Sequence, residues 1–173
     1  MLPGLTLVIG GAASGKSAFA EGLVSRTGRE RVYLATAEAH DDEMRQKLER
    51  HRDSRGPGWR TIEEPLDLGR TLASISGEHA VLVDCATMWL SNQMLAENDL
   101  DQAEAELMAG LSLCAAPVVI VTNEVGLCVV PDNALARRFR EAQGRLNCKL
   151  AAKAGLVVNV MAGLPQVLKG EMP

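Results

Sequence analysis

Short apolar runs, mostly β-branched, recur along the chain at Thr6–Ile9, Val32–Ala35, Val81–Val83, Val118–Val121 and Val157–Val160. Each is nearly continuous in apolar character, as strands buried on both faces of a parallel sheet require. Between them the apolar positions recur at helical spacing: over Ala18–Val24, in a strongly charged stretch from Asp41 to Arg52, over Leu66–Ile75, and in a long stretch capped at Asp132-Asn133 and reaching Lys153. Strands alternating with helices predict a three-layer α/β domain with a mostly parallel central sheet flanked by helices. No repeat, low-complexity segment or Ser/Gly/Pro-rich linker divides the chain, so one domain over residues 1–173 is expected.

The same pattern sorts individual positions. In the long helix Leu135, Phe139, Ala142, Leu146 and Leu150 form the expected buried stripe. Arg137, Arg138, Arg140, Arg145 and Lys149 cover the rest, and a solvated or subunit-facing basic surface is favoured over a phosphate site. Arg55-Gly56-Pro57-Gly58 breaks the charged helix. Trp59–Glu64 then reads as a short extended piece with Trp59 as a core or edge anchor. The uncharged run from Leu107 to Asn123 is about as long as a membrane span, yet Pro117, Ser112, Thr122 and Asn123 interrupt it. It reads as a helix end followed by a buried strand.

Composition narrows the class. A hydrophobic content of 47% in 173 residues suffices for a core, which with 3% aromatics must be aliphatic. The net charge of −4 argues against a protein that coats nucleic acid. Cys85, Cys114, Cys128 and Cys148 show no CxxC spacing and are expected as buried thiols in a reducing compartment. No basic segment precedes the first apolar run, so no signal peptide is expected and the expected location is the cytoplasm.

The candidate chemistry centres on Gly10-Gly11-Ala12-Ala13-Ser14-Gly15-Lys16-Ser17, which links the first strand to the first helix. In such a loop the backbone N–H groups converge on phosphate oxygens and the helix presents its positive end to them. Lys16 would reach the β- and γ-phosphates of GTP or ATP, and Ser17 would ligate Mg²⁺. Asp84 ends the run from His79, the arrangement that holds Mg²⁺ directly or through water opposite the loop. Thr122-Asn123-Glu124 leave the fourth strand at the same end, either as site groups or as a turn cap. In the charged helix Asp41/Arg45, Glu43/Lys47 and Arg45/Glu49 are i,i+4 ion pairs of a solvated face. His51 falls with Met44 and Leu48 on the other side, where spacing by itself favours a structural histidine.

The stretches Thr6–Glu21, Val32–Ala37, Asp41–Met44, Arg50–Asp53, Trp59–Thr61, Val121–Gly126, Val130-Pro131 and Gly144–Asn147 together resemble, over nearly the whole chain, a known family. It is the bifunctional adenosylcobinamide kinase / adenosylcobinamide-phosphate guanylyltransferase family of cobalamin biosynthesis. The P-loop is widely shared, whereas the Arg50-to-Thr61 block and Thr122–Gly126 are much more specific. The resemblance implies a RecA-like P-loop fold. It implies phosphorylation of the aminopropanol hydroxyl of adenosylcobinamide by ATP or GTP. GMP is then transferred from GTP to adenosylcobinamide phosphate, giving adenosylcobinamide-GDP and pyrophosphate.

By the same resemblance His51, the only histidine of its block, carries GMP as a covalent intermediate, which reverses the expectation from spacing. The implied nucleotide contacts are Gly10, Gly11, Ala12, Ala13, Ser14, Gly15, Lys16 and Ser17, then Ala35, Thr36, Ala37, Arg52, Asp53, Ser54, Arg55, Glu63 and Asp84. A homotrimer with active sites near subunit boundaries is also implied. The residues without the resemblance leave two other readings: a P-loop kinase of another small hydroxylated molecule, and a nucleotide-binding regulatory module.

Overall fold

The computed structural model describes residues 1–37 and 56–173. The helix expected over Asp41–Arg52, with His51, Arg52, Asp53, Ser54 and Arg55, lies outside the described residues. In order, the elements are β1 (Leu5–Gly10), α1 (Lys16–Ser25), β2 (Glu30–Ala35), β3 (Trp59–Glu63), α2 (Leu68–Ala73), β4 (His79–Asp84) and α3 (Ala86–Leu95). They continue with α4 (Leu100–Leu113), β5 (Val118–Asn123), α5 (Ala134–Lys153), β6 (Leu156–Met161) and β7 (Leu164–Lys169). The strands form one sheet in the order β3-β2-β4-β5-β1-β6-β7. All neighbours are parallel except β6 and β7.

The near-continuous apolar runs follow from two cores, one on each face. Val32, Leu34, Val81, Val83, Val118 and Ile120 face a core filled from the other side by Leu72, Trp89, Leu107, Leu146 and Leu150 of α2 to α5. Their strand neighbours Tyr33, Ala80, Leu82, Val119 and Val121 face the opposite core, with Ala20, Leu23 and Val24 of α1. Because a strand turns successive residues to opposite faces, both sets must be apolar. No described helix is long and apolar enough to cross a membrane.

The extended piece at Trp59 is the edge strand β3, and Trp59 is an edge anchor. Its ring meets Tyr33 edge-on at 6.2 Å, and the Arg31 guanidinium lies 5.4 Å from its centre. The apolar runs do not predict β7, whose residues are all exposed and include Pro165. It forms because Ala162 and Gly163 both take positive φ (51° and 78°), the geometry of a tight hairpin that folds the chain back onto β6. As an antiparallel edge it tolerates proline.

Two expectations are corrected. In α5 Ala142, Leu146 and Leu150 are buried, but Leu135 is 54% exposed because the first turn stands clear of the core. Of the cysteines only Cys85 is buried; Cys114 is intermediate, and Cys128 in a loop and Cys148 on α5 are exposed.

The helical layer has one contact without slack. A Cβ on Gly110 would lie 2.1 Å from the Gly69 carbonyl oxygen, and one on Gly69 would lie 2.3 Å from that of Glu106. Backbone meets backbone there, so Gly110→Ala must push α2 and α4 apart. A loss of about 1–3 kcal/mol in denaturant unfolding is expected, the range for overpacking; an unchanged midpoint would contradict this contact.

Candidate active site

The carboxyl ends of the parallel strands lie together, where α/β sheets place ligands. In register, Gly10 is opposite Asn123, and Ala35 lies between Glu63 and Asp84. The P-loop leaves β1 at this end. A Cβ on Gly10 would sit 2.4 Å from the Val160 carbonyl oxygen, so the loop turns here only with glycine. Gly15, with φ 91°, is the N-cap of α1 and brings no capping side chain to the helix's first amides. They remain available to an anion. The Gly163 N–H donates to the Ser14 carbonyl at 2.8 Å, so the β6–β7 hairpin braces the loop. Lys16 is buried, and its Nζ donates to the Gly11 carbonyl at 2.8 Å. Ser17 follows in the first turn of α1, partly buried.

Asp84 ends β4, two residues after Leu82, and strand alternation turns it to the α1 side of the sheet. The Tyr33 hydroxyl donates to its Oδ2 at 3.1 Å. Its neighbour Cys85 caps α3, accepting from the Met88 N–H at 3.4 Å. Burial first, and then the Asp84 charge, push the Cys85 thiol from 9.0 up to about 11, while Lys16 acts in the opposite direction. A neutral Cys85 thiol therefore favours the folded state, and the stability tied to it falls as pH rises from about 9 towards 11. Alkylation of the native protein near pH 8 should label Cys128 and Cys148 and spare Cys85; mass spectrometry of the digest checks it, and early modification of Cys85 would refute it.

The predicted turn Ala35-Thr36-Ala37 follows β2. Thr36 is fully buried. Its N–H donates to the Asp84 carbonyl at 3.2 Å, and its Oγ1 donates to the Cys85 carbonyl and accepts from the Cys85 N–H, both at 2.8 Å. Asn92 of α3 donates to the Thr36 carbonyl at 2.7 Å. Thr36 thus locks the ends of β2 and β4 together. Glu63 is exposed on the sheet edge, four strands from β1. At about 4.8 Å per strand that is about 19 Å from the P-loop strand, so Glu63 stands well away from the phosphate loop.

Of the residues after β5, Glu124 caps its own turn, accepting from the Gly126 N–H at 2.5 Å. Thr122 is fully buried and donates to Asn147 Oδ1 at 2.7 Å. The Gln143 amide donates to both, at 3.0 and 2.8 Å. This network, like Tyr33 and Asn92, carried no signal in the strand pattern; its trace is the amide pair Gln143 and Asn147, one helical turn apart within the buried stripe. Three of the basic residues of α5 work as tethers. Arg137 donates to the carbonyls of Pro131 and Asp132, Arg140 to that of Gly126, and Lys149 holds buried Glu104 of α4 at 2.5 Å. That hydrogen bond first, and then the Glu104 charge, hold the Lys149 ammonium above its usual range.

A parallel sheet, a glycine loop entering a helix at its carboxyl edge and an acidic residue ending a nearby strand on the same face define a RecA-like P-loop nucleotide-binding protein. The flagellar accessory protein FlaH from Methanocaldococcus jannaschii has the same fold, with a TM-score of 0.55 over 99% of this chain and 81% of that one at 13% identity. The chain belongs to the cobinamide kinase / cobinamide phosphate guanyltransferase family, whose profile matches residues 6–168. It is 42% identical over 168 residues to the bifunctional adenosylcobalamin biosynthesis protein CobP of Pseudomonas aeruginosa, covering 95% of this chain and 97% of that one. It is 40% identical over 182 residues to the bifunctional adenosylcobalamin biosynthesis protein CobU of Salmonella typhimurium, covering 95% and 99%. The protein is therefore an enzyme, a small-molecule kinase and nucleotidyltransferase of cobalamin biosynthesis.

Proposed function

We propose that one triphosphate cradle, Gly10 to Ser17, serves both reactions in turn: phosphoryl transfer to the aminopropanol hydroxyl of adenosylcobinamide, then GMP transfer to the phosphate so formed. The observation that carries this reading is the convergence of the P-loop and Asp84 on the α1 side of the sheet's carboxyl edge. ATP and GTP present the same tail to that cradle, so either serves the first step. In it the hydroxyl oxygen bonds to the γ-phosphorus and the nucleoside diphosphate leaves, with positioning and electrostatic clamping as the catalysis.

In the second step His51 is the nucleophile. An imidazole is substantially neutral near pH 7. Its nitrogen bonds to the α-phosphorus of GTP, the α–β bond breaks, and pyrophosphate departs against Lys16 and the loop amides. The corrinoid phosphate then displaces the histidine and takes GMP. Arg52, Asp53, Ser54 and Arg55 are the adjoining nucleotide contacts.

Ser17 and Asp84 are the proposed Mg²⁺ ligands. Among the described residues no group of three or more His, Cys, Asp or Glu forms a cage. Two hard oxygen donors match the sparse protein set that Mg²⁺ uses beside phosphate oxygens and water. The ion would supply charge neutralisation at the β- and γ-phosphate oxygens. A cytoplasmic homotrimer, with each site completed near a subunit boundary, goes with this reading. The test is direct: protein, Mg²⁺, GTP and adenosylcobinamide should yield both the phosphorylated and the GDP-linked corrinoid. Recovery of unmodified corrinoid with intact GTP would overturn the proposal.

A further inference from the structure

The end of β5 is held more firmly than its place in the sheet demands. At Asn123 the backbone N–H donates to Thr87 Oγ1 of α3 at 2.8 Å, and the carbonyl accepts from Asn147 Nδ2 of α5 at 3.0 Å. Behind it Thr87, Thr122, Gln143 and Asn147 form a buried polar cluster, and Gln143 is fully enclosed. Hydrogen bonding offsets the cost of burying these four polar side chains except at Gln143 Oε1, which is buried without a partner among the described residues, so the cluster holds the strand end at some cost in stability. The segment they fix carries one carboxamide, that of Asn123, which makes no hydrogen bond among the described residues.

Strand alternation decides where that carboxamide points. Val119 and Val121 lie in the core shared with α1, whereas Thr122 bonds to α5, so Asn123 turns to the α1 side, as Asp84 does. It stands directly opposite Gly10, the first P-loop residue, on the strand between those of Gly10 and Asp84. In a P-loop the amides hold the α- and β-phosphates and the lysine reaches the β and γ groups. Here the helix that begins at Lys16 packs over β5 and β4 as well as β1, so the γ end of the triphosphate lies towards Asp84 and Asn123.

We propose that Asn123 is a catalytic hydrogen-bond donor to the γ-phosphoryl group, with Thr87 and Asn147 as positioning residues that hold its backbone. This rests on the shared-cradle reading above. In the kinase step the acceptor oxygen bonds to the γ-phosphorus, the β–γ bridge breaks with its electron pair on the nucleoside diphosphate, and the hydroxyl proton passes to solvent. Asn123 takes no proton; its N–H follows the charge on the moving phosphoryl oxygens. In guanylyl transfer the α–β bond breaks and the γ-phosphoryl group leaves unchanged within pyrophosphate. Asn123 therefore separates two reactions that Lys16 does not.

The test measures the half-reactions apart: phosphorylation of adenosylcobinamide by ATP, and guanylylation of supplied adenosylcobinamide phosphate by GTP. Asn123→Ala should lower the kinase kcat by about a hundredfold, as removal of a transition-state donor does, and change guanylyl transfer by less than about threefold. Asn123→Asp, of equal size but with a charge that repels phosphate, should cut the kinase further and serves if the alanine variant fails to fold. Equal loss of both activities in a variant with wild-type melting, or no loss of either, overturns the proposal. Failure of the shared-cradle reading is distinguishable, because it would appear in Lys16→Ala, with Asn123 intact, as loss of one half-reaction and not the other.

Discussion

His51→Ala should abolish labelling of the protein by α-labelled GTP and lower guanylyl transfer by at least about a thousandfold, the scale on which loss of a covalent nucleophile is felt. Phosphorylation of adenosylcobinamide should stay within about threefold of wild type, because phosphoryl transfer needs no covalent residue. The wild-type label should be lost in acid and kept in alkali, as a phosphoramidate behaves. Undiminished label in the variant would remove His51 from the mechanism and leave a P-loop kinase as the better description. The split between the half-reactions is the informative part, since a merely structural histidine would lower both together.

Lys16→Ala should lower both half-reactions by about 10²–10³-fold, the effect of deleting a preorganised cation at developing charge. On the proposed shared cradle, Lys16 would face the γ-phosphoryl group in flight in one reaction and the departing pyrophosphate in the other. Thermal unfolding is the control, because Lys16 is buried and bonded to the Gly11 carbonyl. Loss of a hydrogen bond of this kind costs on the order of 1 kcal/mol, and an unchanged melting temperature shows that the variant is folded. Guanylyl transfer at the wild-type rate in this variant would show that the two reactions do not share a cradle. Together the two variants sort the machinery: His51 belongs to one chemistry, Lys16 to both.

Much of this site was legible in one dimension because its logic is local. Strand, glycine loop and helix are contiguous from Leu5 to Ser25, and Gly10 and Gly15 stand where a side chain or a negative φ would fail. Asp84 announced itself by ending an apolar run. The resemblance supplied His51, which spacing had assigned to packing. Tyr33 was not legible as the partner of Asp84, because the two meet only through the β2–β4 register, 51 residues apart in sequence. Glu63 entered only through the resemblance, as an expected nucleotide contact, and its distance from the P-loop strand follows from a strand order that no local pattern encodes.

The sequence by itself determined the five apolar strands, the first and last helices, the two-faced sheet and the glycine loop, because periodicity, β-branching and glycine placement act over a few residues and need no distant partner. Only the tertiary structure decided which strand ends are neighbours. It set Asn123 between Gly10 and Asp84, buried Thr36 as a lock rather than exposing it, left Cys128 and Cys148 at the surface, and folded β7 back on a two-residue turn. The reason is physical: strand order and register are set by how both faces of the sheet find helices to cover them, a property of the whole chain at once.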